Sequence, residues 1–182
     1  YDYESVMGTN ASEWKARGLD GEVYGQAEYW AISVDVKFSS DWKSFEFIQG
    51  SKESIRLRFH SGGYFGVIRM KTKAEKGEGV STADLYPTGD FTAAFPTKNE
   101  TVVNKMKAGA TITCVRYDNT IMMYADGVKF FQTAYAVDHT NNWFGVGHVE
   151  DEGASKPDMS NTKYITGQAN VGAYLSSLTA KK

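Results

Sequence analysis

The sequence predicts an all-β protein, an antiparallel sandwich or barrel for which two packed sheets fit best, on three observations. Apolar and polar residues alternate with a period of two in several separate segments. Turn-forming residues recur about every 8 to 12 positions between roughly ten to thirteen such segments. Aromatic residues make up 14% of the chain and only three prolines interrupt it, a composition that favours strands.

The elements follow in order. Residues 30–38, WAISVDVKF, put Ile32, Val34, Val36 and Phe38 on one side and Ser33, Asp35 and Lys37 on the other. After an SSDW turn comes the strand SFEFIQG, and then ESIRLRFH, where Ile55, Leu57 and Phe59 alternate with Ser54, Arg56, Arg58 and His60. Ser61-Gly62-Gly63 turns this strand into YFGVIRMKTK, completing a hairpin. Residues 72–100, rich in Lys, Glu, Gly, Thr and Pro, read as a long, partly ordered connection.

TVVNKMKAG allows a turn or two of helix ending at Gly109. The stretch VRYDNTIMMYADGVKFF then builds hairpins, turning on Asp118-Asn119 and on Asp126-Gly127. Asn and Asp tolerate left-handed backbone and Gly adopts it freely, as primed hairpin turns require. Tyr124 and Phe130 are expected to flank the second turn and help fix its register. NNWFGVGHVED gives another short strand, and ANVGAYLSSLTAKK reads as a closing strand. No segment shows apolar residues at helical spacing over three turns behind a capped start, and no repeat of fixed period suggests a propeller or solenoid.

At 182 residues the chain suits one domain, residues 1–182, with a substantial core. Twenty basic residues against 22 acidic ones, a formal net charge of −2, supply no positive field for nucleic acid or an anionic membrane. No run of about 18 apolar residues exists to span a bilayer. A start at Tyr1 predicts a mature protein or a domain excised from a larger, multidomain one. The single cysteine, Cys114, excludes a disulfide framework and a cysteine metal site within the chain, and its apolar setting predicts a buried, inert thiol.

WAISVDVKF, SIRLRFHSGGYFGVIRM, ATITCVRYDNTIMMYADGVKFFQ and NWFGVGHV together resemble the concanavalin A-like lectin/glucanase superfamily over most of residues 25–150. Its jelly-roll sandwiches include legume lectins, laminin G-like domains and many carbohydrate-binding modules. Tyr117, Asp118-Asn119, Tyr124 and Asp126-Gly127 match its recurring strand, polar turn and strand pattern. The resemblance implies the fold more than a ligand, because the fold hosts lectins, hydrolases and adhesive modules alike.

Catalysis finds little support in the residues. Glycoside hydrolysis generally needs two carboxylates roughly 5 to 10 Å apart; the superfamily's glucanases carry a Glu, Asp, Glu series at alternating positions of one strand, and the chain has none. Glu150-Asp151-Glu152 are consecutive and read as a solvated loop or a structural calcium loop. There is no G-x-S-x-G elbow, no phosphate-binding loop, and His60, His139 and His148 lack metal-ligand spacing.

Sugar binding asks for an aromatic platform with polar neighbours. Trp42 sits in the turn SSDWKS beside Asp41, and Trp143 follows Asn141 and Asn142; these are the leading ligand candidates. Trp14, in the polar SEWKARG, and Trp30, which starts the first strand, are less favoured, each Trp having core or edge packing as its alternative role, and Tyr64, after the Gly-Gly turn, and Tyr86 are weaker candidates. Arg56 and Arg58 share a strand face, with Arg69 and Arg116 as further candidates for it, a cluster suited to an acidic sugar such as sialate or uronate. The expected function is therefore a secreted or cell-surface, non-catalytic module that captures a polysaccharide, with starch or another plant glucan as the first candidate. Its alternatives are acidic-sugar binding through the arginine face, a protein-binding or adhesive module, and a divergent glycosidase.

Overall fold

The computed structural model describes residues 19–50, 54–62, 64–70, 90–91, 100–134, 143–149 and 154–180. Eleven strands and two helices occur among them: β1 Leu19–Gln26, β2 Trp30–Lys37, β3 Ser44–Gly50, β4 Ser54–His60, β5 Tyr64–Met70, β6 Asp90–Phe91, α1 Glu100–Ala108, β7 Ala110–Tyr117, β8 Thr120–Ala125, β9 Val128–Ala134, β10 Trp143–Val149, β11 Asp158–Thr166 and α2 Gln168–Ala180. They form a five-stranded sheet, β1-β10-β3-β4-β5, and a six-stranded sheet, β11-β2-β7-β8-β9-β6. Neighbouring strands in both sheets pair antiparallel. The protein is an antiparallel β-sandwich.

Period-two patterning explains the core. Trp30, Ile32, Val34 and Val36 of β2 are buried against Phe45, Phe47, Leu57, Phe59, Phe144 and Val146 of the five-stranded sheet. Each such side chain contributes about 1.5 to 3 kcal/mol through removal of apolar area from water. Trp30 stacks on Phe144 at 5.1 Å between ring centroids, and Phe45 on Phe59 at 4.9 Å. α1 adds Val102, Val103 and Met106 to the same core. The short helix expected from TVVNKMKAG is thus present and ends at Gly109, whose φ of 95° suits glycine.

The hairpin turns are left-handed as expected, at Asp118 (φ 48°), Asn119 (φ 56°), Asp126 (φ 49°) and Gly127 (φ 80°). The register beside the second turn differs from expectation. Tyr124 pairs with Lys129 and Met123 with Phe131, so Phe130 is the extra residue of a β-bulge. Phe130 lies in the main core, whereas Tyr124 joins a second cluster on the other face of the sheet, so the two do not act as a pair.

ANVGAYLSSLTAKK is not a strand. Residues 168–180 form α2, because Val171, Tyr174, Leu175 and Leu178 fall at helical spacing and pack on Ala31, Val115 and Tyr124 of the six-stranded sheet. The helix starts after Gly167, whose carbonyl accepts from Val171 N, and Asn170 Nδ2 bonds back to the Thr166 carbonyl. The last strand is instead β11, whose broken alternation reflects a register shift between Ser160 and Lys163 and a positive φ of 52° at Asn161. β1, with Asp, Gly and Glu in its first half, likewise lacks a clean alternation. Cys114 is fully buried, and burial pushes its thiol well above the ordinary value, which keeps it protonated and inert. The expected connection 72–100 lies outside the described residues except for β6 and the start of α1.

Candidate glycan-binding site

The turn between β2 and β3 carries the most exposed large apolar side chain among the described residues. Trp42 is 65% exposed, whereas Trp30 is fully buried. Its backbone has a φ of 59°, a left-handed conformation that costs a bulky L-residue roughly 1 to 3 kcal/mol. Such a conformation persists only where neighbouring bonds over-determine it, and here they do. The Trp42 carbonyl accepts from Ser155 N at 2.8 Å, and Ser44 N donates to the Ser155 carbonyl at 2.9 Å. Lys43 N donates to Ser61 Oγ, Ser61 N donates to the Lys43 carbonyl, and Lys43 Nζ reaches Ser155 Oγ. The indole is therefore an exposed ring on a fixed backbone.

The β3–β4 hairpin explains its neighbours. Ser44 pairs with His60, so continuing that register outward brings the turn before β3 beside the turn after β4. The Trp42 ring stands edge-on to the His60 imidazole, with centroids 5.9 Å apart and planes at 84°. Gly62 N donates to His60 Nδ1 at 2.9 Å, which places the proton of the neutral imidazole on Nε2. A Cβ at Gly62 would lie 3.1 Å from that Nδ1, so glycine permits the close approach. Asp41, Trp42, His60, Ser61 and Gly62 enclose a cavity of about 180 Å³.

The other expected site residues are distributed differently. Trp143 opens β10 opposite Gly50, at the far end of β3 from Trp42, so about 20 Å of strand separates the two tryptophans. They do not share one platform. Asn141, Asn142 and the acidic loop Glu150-Asp151-Glu152 lie outside the described residues. Tyr64 on β5 is the register partner of His60, with β4 between it and the strand that follows the Trp42 turn. The structure does not gather the four arginines. Arg58 stands directly across from Glu46, Arg56 pairs by register with Ile48 and Ile68, and Arg69 pairs with Ile55. Arg116 belongs to the other sheet, where it is buried and donates to Gln49 Oε1 at 2.7 Å. His148 is likewise buried, its Nδ1 3.0 Å from the Ser44 carbonyl.

A larger cavity, about 330 Å³, is lined by Asp35, Val36, Lys37, Gly109, Ala110, Thr111, Asp126, Asp158 and Ser160. Among the described residues no aromatic ring lines it, and two of its carboxylates serve the scaffold. Asp126 accepts from Thr111 N and pairs with Lys105. Asp35 accepts from Thr111 Oγ1 at 2.6 Å and from Asn161 Nδ2 at 2.8 Å, bonds that tie the β11 bulge to β2 and β7. The Asn161 bond first, and the Thr111 bond second, hold the Asp35 carboxyl below its ordinary value. Stability from a depressed carboxyl is present above the unfolded pKa and lost as pH falls through the folded one. Asp35→Asn is therefore expected to be less stable than wild type near neutrality, with the difference shrinking below about pH 4, as thermal unfolding across a pH series would show. A constant difference at all pH values would refute this role. Among the described residues no cluster of His, Cys, Asp or Glu is suited to hold a metal ion, and no helix is long and apolar enough to cross a membrane.

No protein-family description and no curated protein matches the chain. Among solved structures it is similar to sheep galectin-11 in complex with glycerol, at 9% identity, over 81% of this chain and 98% of that one, with a TM-score of 0.49. It is also similar to the K499G mutant of NanB sialidase from Streptococcus pneumoniae, at 13% identity, over 87% of this chain but 26% of that one, with a TM-score of 0.49. A third is the Bacillus licheniformis beta-glucanase, at 14% identity, over 79% of this chain and 64% of that one, with a TM-score of 0.34.

Proposed function

We propose that the chain is a non-catalytic carbohydrate-binding module that captures a polysaccharide by stacking one sugar ring on Trp42. The carrying observation is the exposure of that indole on a backbone pinned in a strained conformation, since exposing a large ring at a cost in strain serves contact better than stability. Asp41 offers a carboxylate to sugar hydroxyls, and the His60 ring walls the cavity. A volume of about 180 Å³ equals that of about six waters, which suits one pyranose residue rather than an extended segment. The expected setting is outside the cell, on a larger polysaccharide-capturing protein.

Two alternatives are weaker. A protein-docking surface calls for a contiguous apolar patch, yet the exposed large apolar residues among those described, Trp42, Val128 and Tyr164, lie on separate elements. A glycosidase calls for two carboxylates across the bond, and among the described residues Asp41 is the single carboxylate lining the Trp42 cavity.

The test is affinity electrophoresis against soluble starch, β-glucan, xylan, pectin and a sialylated glycoprotein, repeated with Trp42→Ala and Trp143→Ala. Retardation lost in Trp42→Ala and retained in Trp143→Ala supports the proposal. Retardation by no polymer would sink it in favour of a protein ligand.

A further inference from the structure

We infer that the Trp42 site selects uncharged sugar residues and rejects uronates and sialates, an inference that rests on the saccharide reading above. The argument is one of charge around a single ring-sized cavity. Among the described residues, Asp41 is the one formally charged residue lining it when His60 is neutral. A sugar stacked on Trp42 lies within a few ångströms of that exposed carboxylate, and a second carboxylate there meets like-charge repulsion that is strongest at low ionic strength.

Among the described residues, the cations nearest the turn have partners of their own. Lys43, the next residue along the chain, bonds through Nζ to Ser155 Oγ at 2.9 Å. Arg58 precedes His60 by two positions on the same strand face, about 7 Å away along the strand. It stands directly across from Glu46, which is buried, so a matching negative charge faces it across the hairpin. Arg56 is a further strand repeat away, and Arg116 is enclosed in the interior.

The same carboxylate supplies the selection for hydroxyl groups. A carboxylate accepts and does not donate, so it pairs with sugar hydroxyls, which donate to it readily. Neighbouring hydroxyls on a neutral ring satisfy both oxygens. A ring carrying its own carboxylate brings a second acceptor to a site already provided with one.

The test compares polymers that share a backbone and differ in carboxylate substitution: soluble starch with carboxymethyl-starch, and neutral xylan with glucuronoxylan. Each is measured at about 10 mM and about 0.5 M salt, because screening at high salt removes exposed charge effects. The variants are Asp41→Asn, which keeps the shape and removes the charge, and Trp42→Ala. The expected result is about tenfold weaker retention of the acidic partner by wild type at low salt. That ratio should narrow several-fold in Asp41→Asn and at high salt. Equal or stronger retention of the acidic polymer, lost in Trp42→Ala, overturns the charge selection while leaving the sugar platform standing. Retention that does not depend on Trp42, or no retention at all, overturns both.

Discussion

Trp42→Ala is expected to weaken binding of the captured polysaccharide about thirtyfold, the effect of removing an anchor worth about 2 kcal/mol. The indole is 65% exposed, so its removal leaves no cavity in the core and exposes little that was covered. Loss of binding should therefore come without loss of fold, which circular dichroism and urea unfolding would check. Trp42→Gly sharpens the test. Glycine adopts a φ of 59° without steric cost, so this variant should lose binding as fully as alanine while gaining up to about 1 kcal/mol of stability. A variant that binds worse and folds better shows that the strain at this turn serves the ligand. If instead both variants unfold more readily and still retain the polymer, the ring belongs to the scaffold.

The largest stability effect is expected at Gln49. Its side chain is fully buried, and Oε1 accepts from Trp30 Nε1 at 3.0 Å and from Arg116 Nη1 at 2.7 Å, while Nε2 donates to the Ala27 carbonyl at 3.0 Å. One amide thereby ties the five-stranded sheet to two strands of the six-stranded sheet and to the turn between β1 and β2. Gln49→Leu fits the volume but takes the shared acceptor away from two buried donors, one of them a guanidinium. A loss of about 3 kcal/mol follows, between the cost of an orphaned neutral group and that of a disrupted buried charge. Gln49→Glu keeps an acceptor for both donors and should recover much of the loss. Urea midpoints for the three proteins decide it. A loss below about 1 kcal/mol in Gln49→Leu would mean that the network contributes little beyond its packing.

Most strands were legible because sheet residues announce themselves by alternation. β2, β4 and the β7–β8–β9 meander carry apolar residues at every second position or turn residues with a demanded backbone sign, and both signals are local. β1 and β11 were not legible: β1 opens with Asp, Gly and Glu, and β11 contains a bulge that breaks the period. α2 reads as a strand in the sequence because its apolar residues, several of them alanine, are spread around the helix rather than gathered on one face, so the helical spacing of Val171, Tyr174, Leu175 and Leu178 competes with a plausible strand. What fixes it as a helix is the apolar strip of Ala31, Val115 and Tyr124 that it covers.

For the site, the local sequence determined that Trp42 and Asp41 sit together in a turn, too polar a setting for burial. His60, Ser61 and Gly62 had a signal in the hairpin register, since whatever precedes β3 must lie beside whatever follows β4. Only the tertiary structure decided that Trp42 and Trp143 are a strand length apart, that Arg116 faces inward on the other sheet, and that Ser155 pins the Trp42 turn. The physical reason is the range of the interactions concerned. Alternation and turn chemistry act between residues a few positions apart, whereas a site on a sandwich is assembled by bonds between strands whose separation along the chain carries no local mark.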